Sequence, residues 1–473
     1  MKKILSLMLM LAVLLLSSCG GADVKTEATT DILGAGSCIL YPPTTSPIKT
    51  LDDGTAVHSA YENVDFGGRV FYIESEFDFA DWDIYEITGN DETKAESLSR
   101  AVAERNEKIE TLYNCKIERV AHTPLSSSLE LPSAVCVFSS DAYSRGNGNY
   151  YNLATLGMNF SNPWWDRAYI DEMTVDGYLY SLVGSFSLSA YDATRVLYFN
   201  KDVWESTPAL ADTDVYSLVK NGEWTADEFV RIMRVCESDS VCGIVGSDAA
   251  VTSFYFGAGG DYLQKLDDIA GNTNAYAFGK ASEDAFEAVT KIFSSSGTQI
   301  LDGVSSAELF KEGKTLFVSG NISHMQDFSG GRFGVLPYPA YSGEQISTEG
   351  YKSIVDGGFY YVSVPKSVNF DLALVSDFLE LYAFHSQYIV FPEYENVLKY
   401  TLLEDDGDRD MLGIILGGRT YDIARYHNFC DAEKYVVDGV KTGADITKNW
   451  NDDKGSSLEE TLRAYKNYLR ENT

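Results

Sequence analysis

The chain has 473 residues, 45% of them hydrophobic and 23% charged, the balance of a globular protein rather than a disordered or fibrous one. Its 37 Lys and Arg face 70 Asp and Glu, giving a net charge of −33, which argues against nucleic acid and against direct binding to anionic lipid surfaces. The roughly 400 residues beyond the N-terminal segments exceed what one core holds and predict two domains.

Met1-Lys2-Lys3, the apolar run Ile4 to Leu16 and Ser17-Ser18 form a basic start, a short apolar core and small residues before a cleavage point, the plan of a secretory signal peptide. Leu16-Ser17-Ser18-Cys19 matches the bacterial lipobox. Residues 1–18 are therefore expected to be removed, and Cys19 to carry acyl chains that hold the protein on the outer face of the cell membrane. The alternative is an ordinary signal peptide with a chance cysteine. Gly20 to Ala60 is rich in Thr, Gly, Pro, Ser and Asp and lacks helical or strand periodicity. It reads as a flexible spacer, with the linker spanning residues 19–65 and ordered structure expected from near Phe66. No second apolar run is long enough to span a membrane.

Arg69 to Glu74 reads as a short buried strand, Glu92 to Tyr113 as a helix with Leu98, Val102, Ile109, Leu112 and Tyr113 on one face, and Cys115 to Val120 as a returning strand. Strand, helix and strand at this spacing predict a parallel βαβ start. Thr225 and Glu228 form a capping box ahead of a stripe of Phe229, Ile232, Met233 and Cys236, with Trp224 placed as a hydrophobic staple on Phe229. Further helices are expected at Ala281 to Phe293, Glu308 to Glu312, Asp371 to His385 and Ser457 to Arg470, and strands at Thr315 to Ser319 and Gly358 to Val364. The order is that of an α/β protein.

Several chemical motifs fail on inspection. Gly313-Lys314-Thr315 precedes a strand where a phosphate-binding loop precedes a helix, and Gly257-Ala258-Gly259-Gly260 lacks the last glycine of a dinucleotide fingerprint. The five histidines show no metal spacing, so neither a metal nor a cofactor is expected. Asp405 to Asp410 does not fit a calcium loop and reads as a solvated loop with a helix N-cap at Asp408. The cysteines are irregularly spaced. Cys115 reads as a buried thiol, and Cys236 with Cys242 is the first pair to test for a disulfide.

Eight segments, in order, resemble family 1 extracellular solute-binding proteins, the maltose-binding type serving ABC importers, and within them a lipoprotein branch of Gram-positive bacteria. They are Ala103 to Glu110, Asn162-Pro163-Trp164-Trp165-Asp166, Asp176 to Tyr180, Leu197 to Lys201, Gly222-Glu223-Trp224-Thr225, Phe310 to Thr315, Gly334 to Pro339 and Arg419-Thr420-Tyr421-Asp422. The stretch Ala121 to Asn149 departs from the pattern. The resemblance implies a two-lobe, Venus-flytrap α/β fold of periplasmic-binding-protein type II with crossover hinge strands. The lobes would be built from residues 66–188, 189–350, 351–395 returning to lobe one, and 396–473 as a helical part of lobe two.

It also implies capture without chemistry: a monomer that closes on a small polar solute, most simply a sugar or oligosaccharide, and presents it to ABC permease subunits. By the topology of such a fold, the candidate cleft residues are Glu76, Asp78 and Trp82 after the first strand, Tyr143 and Arg145, then Trp164, Trp165 and Asp166. Tyr191 and Asp192 follow between crossover pieces, then Tyr255 and Asp261, His324 and Asp327, and Tyr421 and Tyr426. Trp164 and Trp165, if extended, would point opposite ways, one into the core and one toward ligand. Arg145 or Arg195 would be needed to accept an anion. For any single aromatic or acid here, ordinary packing is the commoner fate. The rival readings are an exported glycoside hydrolase, which needs two opposed carboxylates, and a surface carbohydrate-binding lipoprotein that serves no transporter.

Overall fold

A computed structural model describes residues 48–51, 56–75, 84–89, 96–121, 136–139, 149–238, 241–266, 275–277, 280–300, 306–366, 371–446, 450 and 454–471. Cys19 lies outside them, and no described helix is long and apolar enough to cross a membrane.

The strands in chain order are β1 (Ile48–Thr50), β2 (Ala56–His58), β3 (Arg69–Ser75), β4 (Cys115–Ala121), β5 (Cys136–Ser139), β6 (Arg195–Asn200), β7 (Cys242–Gly246), β8 (Gln264–Leu266), β9 (Ala275–Ala277), β10 (Thr298–Ile300), β11 (Thr315–Asn321), β12 (Phe333–Leu336), β13 (Ser353–Ile354), β14 (Tyr361–Ser363) and β15 (Arg419–Thr420). Two sheets organise the body, in the orders β14-β5-β3-β4 and β10-β7-β11-β6-β12. In the first, β3 runs parallel to β4 from Arg69↔Cys115 to Ser75↔Ala121, joined by the helix Glu96–Tyr113. The expected βαβ unit is thus present, because alternation in β3 and the Val102–Ile109–Tyr113 stripe bury facing surfaces. Leu112, expected inward, is exposed.

The second sheet is mixed. β11 pairs parallel with β7 and antiparallel with β6, and β6 pairs antiparallel with β12. All six residues of β6 are buried, the signature of a central strand covered on both faces. The helix Ala226–Cys236 begins as expected: Thr225 accepts from the Glu228 amide at 3.4 Å. The Trp224 and Phe229 rings meet at right angles with 5.8 Å between centroids, while Trp224 Nε1 donates to the Pro337 carbonyl. The expected two-lobe α/β architecture follows, one sheet to each lobe.

Three expectations are corrected. Order begins well before Phe66: β1 and β2 form a hairpin, and Val57 and His58 are buried, with the His58 ring packed against Trp164 and Phe384. Asp408 is no solvated cap. Asp405 caps the helix Asp406–Gly417, and Asp408, fully buried, accepts from Lys201 Nζ at 2.6 Å and Tyr216 Oη at 2.8 Å. Cys236 and Cys242 are free thiols, as are Cys115 and Cys430. The closing helix Ser456–Glu471 is ion-paired through Lys466 and Arg470 to Asp176.

Candidate functional site

The strand directions fix where a site belongs. In the first sheet β3, β4 and β5 share a direction and end at Ser75, Ala121 and Ser139, and β14 starts opposite Ser139. In the second, β7, β10, β11 and β12 share a direction, and β6 enters at the edge where β11 ends, Arg195 opposite Asn321. Leu182 bridges to Val362 beside β14, and Thr194 bridges to Val355. The two connections, 182–195 and 355–361, therefore join the carboxyl edge of one sheet to the carboxyl edge of the other. Open α/β sheets bind ligands outside these edges, where strand order reverses.

At the second-sheet edge Arg195, nearly buried, is held by four acceptors. Nε donates to Ser253 Oγ at 2.9 Å, Nη1 to Asn321 Oδ1 at 2.9 Å and Nη2 to Ser319 Oγ at 2.7 Å. Its fourth partner is Asp356 Oδ2, 3.5 Å away. Asp356 Oδ1 accepts from Arg425 Nη2 at 2.6 Å. Arg425 Nε also donates to Glu433 Oε1 at 3.2 Å, and that oxygen accepts from Thr252 Oγ1 at 2.8 Å. Burial opposes ionisation of Asp356, but Arg425 and Arg195 outweigh it and hold its carboxyl below the usual range. Its side chain keeps 25% exposure, so this ion-paired carboxylate faces outward.

A second cluster lines the crossing. Asp166 caps the helix Arg167–Met173 and accepts from Arg419 Nη2 at 2.8 Å and Tyr421 Oη at 2.7 Å. The Arg419 guanidinium lies 3.8 Å from the Tyr191 ring centroid, a cation–π contact. Asp192 accepts from Tyr394 Oη at 2.7 Å, and burial pushes its carboxyl up to about 6. Tyr191 and Phe391 rings meet at 4.7 Å, both half-buried. The short helix Leu188–Asp192 thus presents an aromatic ring and a carboxyl at the junction.

The other sequence candidates divide. His324 sits at the β11 edge, where Nδ1 accepts from the Asn321 amide at 3.2 Å, and burial followed by Arg195 lowers its pKa. Asp327 is exposed on the same turn. Tyr426 donates to the Val355 carbonyl beneath the Asp356 cluster. Tyr255 is fully buried, stacked on Tyr262, and donates to the Asp261 carbonyl at 3.1 Å. Burial raises the pKa of Asp261, and burial followed by Asp261 raises that of Asp422 to about 7. Glu76, Asp78, Trp82, Tyr143 and Arg145 lie outside the described residues.

Trp164 and Trp165 correct the expectation that one ring faces ligand. Both are buried, at 0% and 3% exposure. The segment is a turn, closed by the Trp165 amide donating to the Asn162 carbonyl at 3.2 Å, so the side chains do not diverge as they would in a strand. Both indoles converge on Glu380: Trp164 Nε1 reaches Oε1 and Trp165 Nε1 reaches Oε2, each at 3.1 Å, and Asn162 Nδ2 adds a bond at 2.6 Å.

Sequence reasoning missed Asp356, Arg425 and Glu433. Their partners are remote, 161 residues separating Asp356 from Arg195 and 69 separating it from Arg425. Among the described residues, no group of three or more His, Cys, Asp or Glu is placed to hold a metal ion.

No family model and no curated protein matches the chain. Solved structures do. A galacto-N-biose/lacto-N-biose I-binding protein of an ABC transporter from Bifidobacterium longum, in complex with lacto-N-biose, superposes with a TM-score of 0.53 at 12% identity, over 85% of this chain and 99% of that one. An ABC substrate-binding protein from Listeria monocytogenes, in complex with cycloalternan, gives 0.50 at 11% over 83% and 99%. A family 1 extracellular solute-binding protein from Bifidobacterium longum subsp. infantis gives 0.50 at 13% over 80% and 95%. The fold of this chain is the two-lobe α/β fold of these proteins, periplasmic-binding-protein type II.

Proposed function

We propose that this chain is an exported, lipid-anchored solute-binding protein that captures a small polar solute between its lobes and delivers it to an ABC transporter. The observation that carries the reading is the joining of two sheets carboxyl edge to carboxyl edge, with half-buried aromatic and carboxyl groups at the junction. The fold neighbours add support, since those in complexes hold lacto-N-biose and cycloalternan. Sugars and oligosaccharides are the favoured class. Half-buried Tyr191 and Phe391 offer faces for C–H surfaces, and half-buried Asp192, fixed by Tyr394, offers an oriented acceptor for a hydroxyl. Such a protein binds without catalysing and needs no cofactor. It would act as a monomer against permease subunits, reaching the membrane through Cys19 alone.

Closure follows from differential affinity: a solute that touches both lobes favours the closed state by that difference. A thermal-shift screen of the full chain against mono- and oligosaccharides, with X-ray scattering on each hit, tests the reading. A hit should raise the melting temperature by mass action and shrink the radius of gyration. Turnover of a hit would instead make the protein a hydrolase, and tight binding with an unchanged radius would reject closure. For the anchor, Cys19→Ala should abolish lipid labelling in cells, and unchanged labelling would reject it.

A further inference from the structure

At the second-sheet edge two guanidinium groups, Arg195 and Arg425, share one carboxylate, Asp356, between them. Arg425 has a second carboxylate, Glu433, at 3.2 Å. Arg195 has three neutral acceptors, and Asp356 is its one ion-pair partner among the described residues. A carboxylate bridging two arginines at a partly open sheet edge occupies the place that a carboxylate, sulfate or phosphate group of a ligand would take. It is fixed there from the protein side: the Asp356 amide donates to the Ala193 carbonyl at 2.8 Å, and Oδ1 accepts from the Gly357 amide at 3.0 Å. The side chain is therefore set by the hinge backbone itself, beside the Thr194–Val355 bridge.

We propose that Asp356 is a built-in counter-ion that determines solute charge. It fills the anion position between Arg195 and Arg425, so the junction accepts uncharged solutes and rejects anions, and neutralising it converts the junction into an anion site. This rests on the proposed function above in assigning the junction to solute binding. The alternative arrangement, two arginines left open for an anionic solute, would need no carboxylate at this position. An isolated guanidinium left behind is poorly solvated and recovers its lost partner by recruiting an anion.

The test uses the full chain and inorganic sulfate as the probe. Sodium sulfate is titrated by calorimetry against sodium chloride at constant ionic strength. Asp356→Asn should bind sulfate about tenfold more tightly than the parent, the scale of one added charge-assisted contact. Asp356→Glu, which keeps the charge, should behave as the parent, and Arg195→Gln in the Asp356→Asn background should return affinity to the parental level. Circular dichroism verifies the fold, and Asp356→Ser replaces Asp356→Asn if the latter does not fold. A gain below threefold overturns the proposal, as does a gain that survives loss of Arg195, and a larger, Arg195-dependent gain supports it. Oligosaccharide binding by the parent is measured separately. Its absence would reject sugars as the solute class while leaving the sulfate result to stand on its own.

Discussion

Two carboxylates, Glu380 in the first-lobe core and Asp356 at the junction, are solved by opposite electrostatics. Glu380 is 1% exposed and accepts from neutral N–H groups of Asn162, Trp164 and Trp165 and from the Asn159 backbone. Burial pushes its pKa up to about 7, and these four donors only partly offset it. Asp356 sits between Arg425 and Arg195, which hold its pKa down. The N–H donors around the first carboxyl favour its charged form but carry no opposing charge, so burial still wins. The second is committed to its charge, because two cations depend on it. The core thus tolerates an ambivalent group, while the junction keeps a permanent one where a solute would meet it.

The largest effect should come from emptying the core side of this pair. Each buried Trp→Ala change costs about 3–5 kcal/mol. Trp164→Ala with Trp165→Ala also removes two donors from Glu380 and the packing partner of His58. The two sites share a partner and will not add simply, yet the sum approaches the whole stability of a domain. Urea unfolding should lose its cooperative transition. Near-parental stability with weakened solute binding would instead return these rings to the cleft.

Next comes the link between core and junction. Asp166 follows the two tryptophans directly and pairs with Arg419, each side chain at 6% exposure. Asp166→Asn leaves that guanidinium buried without its counter-ion and should cost ~3–5 kcal/mol in denaturant midpoint. A change under about 1 kcal/mol, the level of a surface pair, would show that Arg419 has another anchor.

A pH series separates the two carboxylates directly. Glu380 is raised in the folded state from 4.5 to about 7, so its contribution is full below its unfolded pKa and is lost as pH rises through the folded one. His58 and His385, lowered by burial to about 4 and about 3, act with the opposite sign and gain stability as pH rises. Subtracting the stability of Glu380→Gln from that of the parent removes the histidine terms. The difference should fall by ~3 kcal/mol between about pH 5 and pH 8, following the shift at 1.36 kcal/mol per pKa unit. A flat difference would mean Glu380 has an ordinary pKa. Asp356 has the reverse sign: its stabilisation is present above its unfolded pKa and lost as pH falls through the folded one, so Asp356→Asn should converge on the parent in acid.

What the sequence made legible was local. The β3–helix–β4 unit, the Thr225 cap and the Trp224 staple each depend on residues within one or two turns or one strand pairing. The order of elements places the loops that carry Tyr191, Asp192 and His324 near the crossings, and says nothing of what those side chains do there. The chemistry at those crossings was not legible. Asp356, Arg425 and Glu433 carry no spacing signal, since the chain leaves and re-enters a lobe between partners. Trp164 and Trp165 misled for a related reason. An extended segment would point the rings apart, but this segment is a turn, and the acceptor that draws both rings inward, Glu380, lies 216 and 215 residues away.

The smallest effect concerns where the folded body starts. Composition alone assigns residues 20–60 to one spacer, so deleting all of it should cost nothing. The hairpin of β1 and β2 divides that span: Lys49 pairs with Glu62, Val57 and His58 are buried, and the His58 ring packs against the same Trp164 that Glu380 holds. Removing residues 20–47 takes away only Thr-, Gly-, Pro- and Ser-rich sequence and should move the melting temperature by less than about 1 °C, because such chain buries little. Removing residues 20–60 takes away the buried Val57 and the buried His58, whose ring packs against Trp164 and Phe384 of the first-lobe core. At about 1.5–3 kcal/mol for a buried apolar side chain, with His58 adding its ring contacts, that deletion should lower stability measurably. Differential scanning calorimetry on the pair of deletions reads the contrast. Equal melting temperatures would mean the hairpin contributes nothing and the body does begin near Phe66, and a large loss from the shorter deletion would extend the core into residues 20–47.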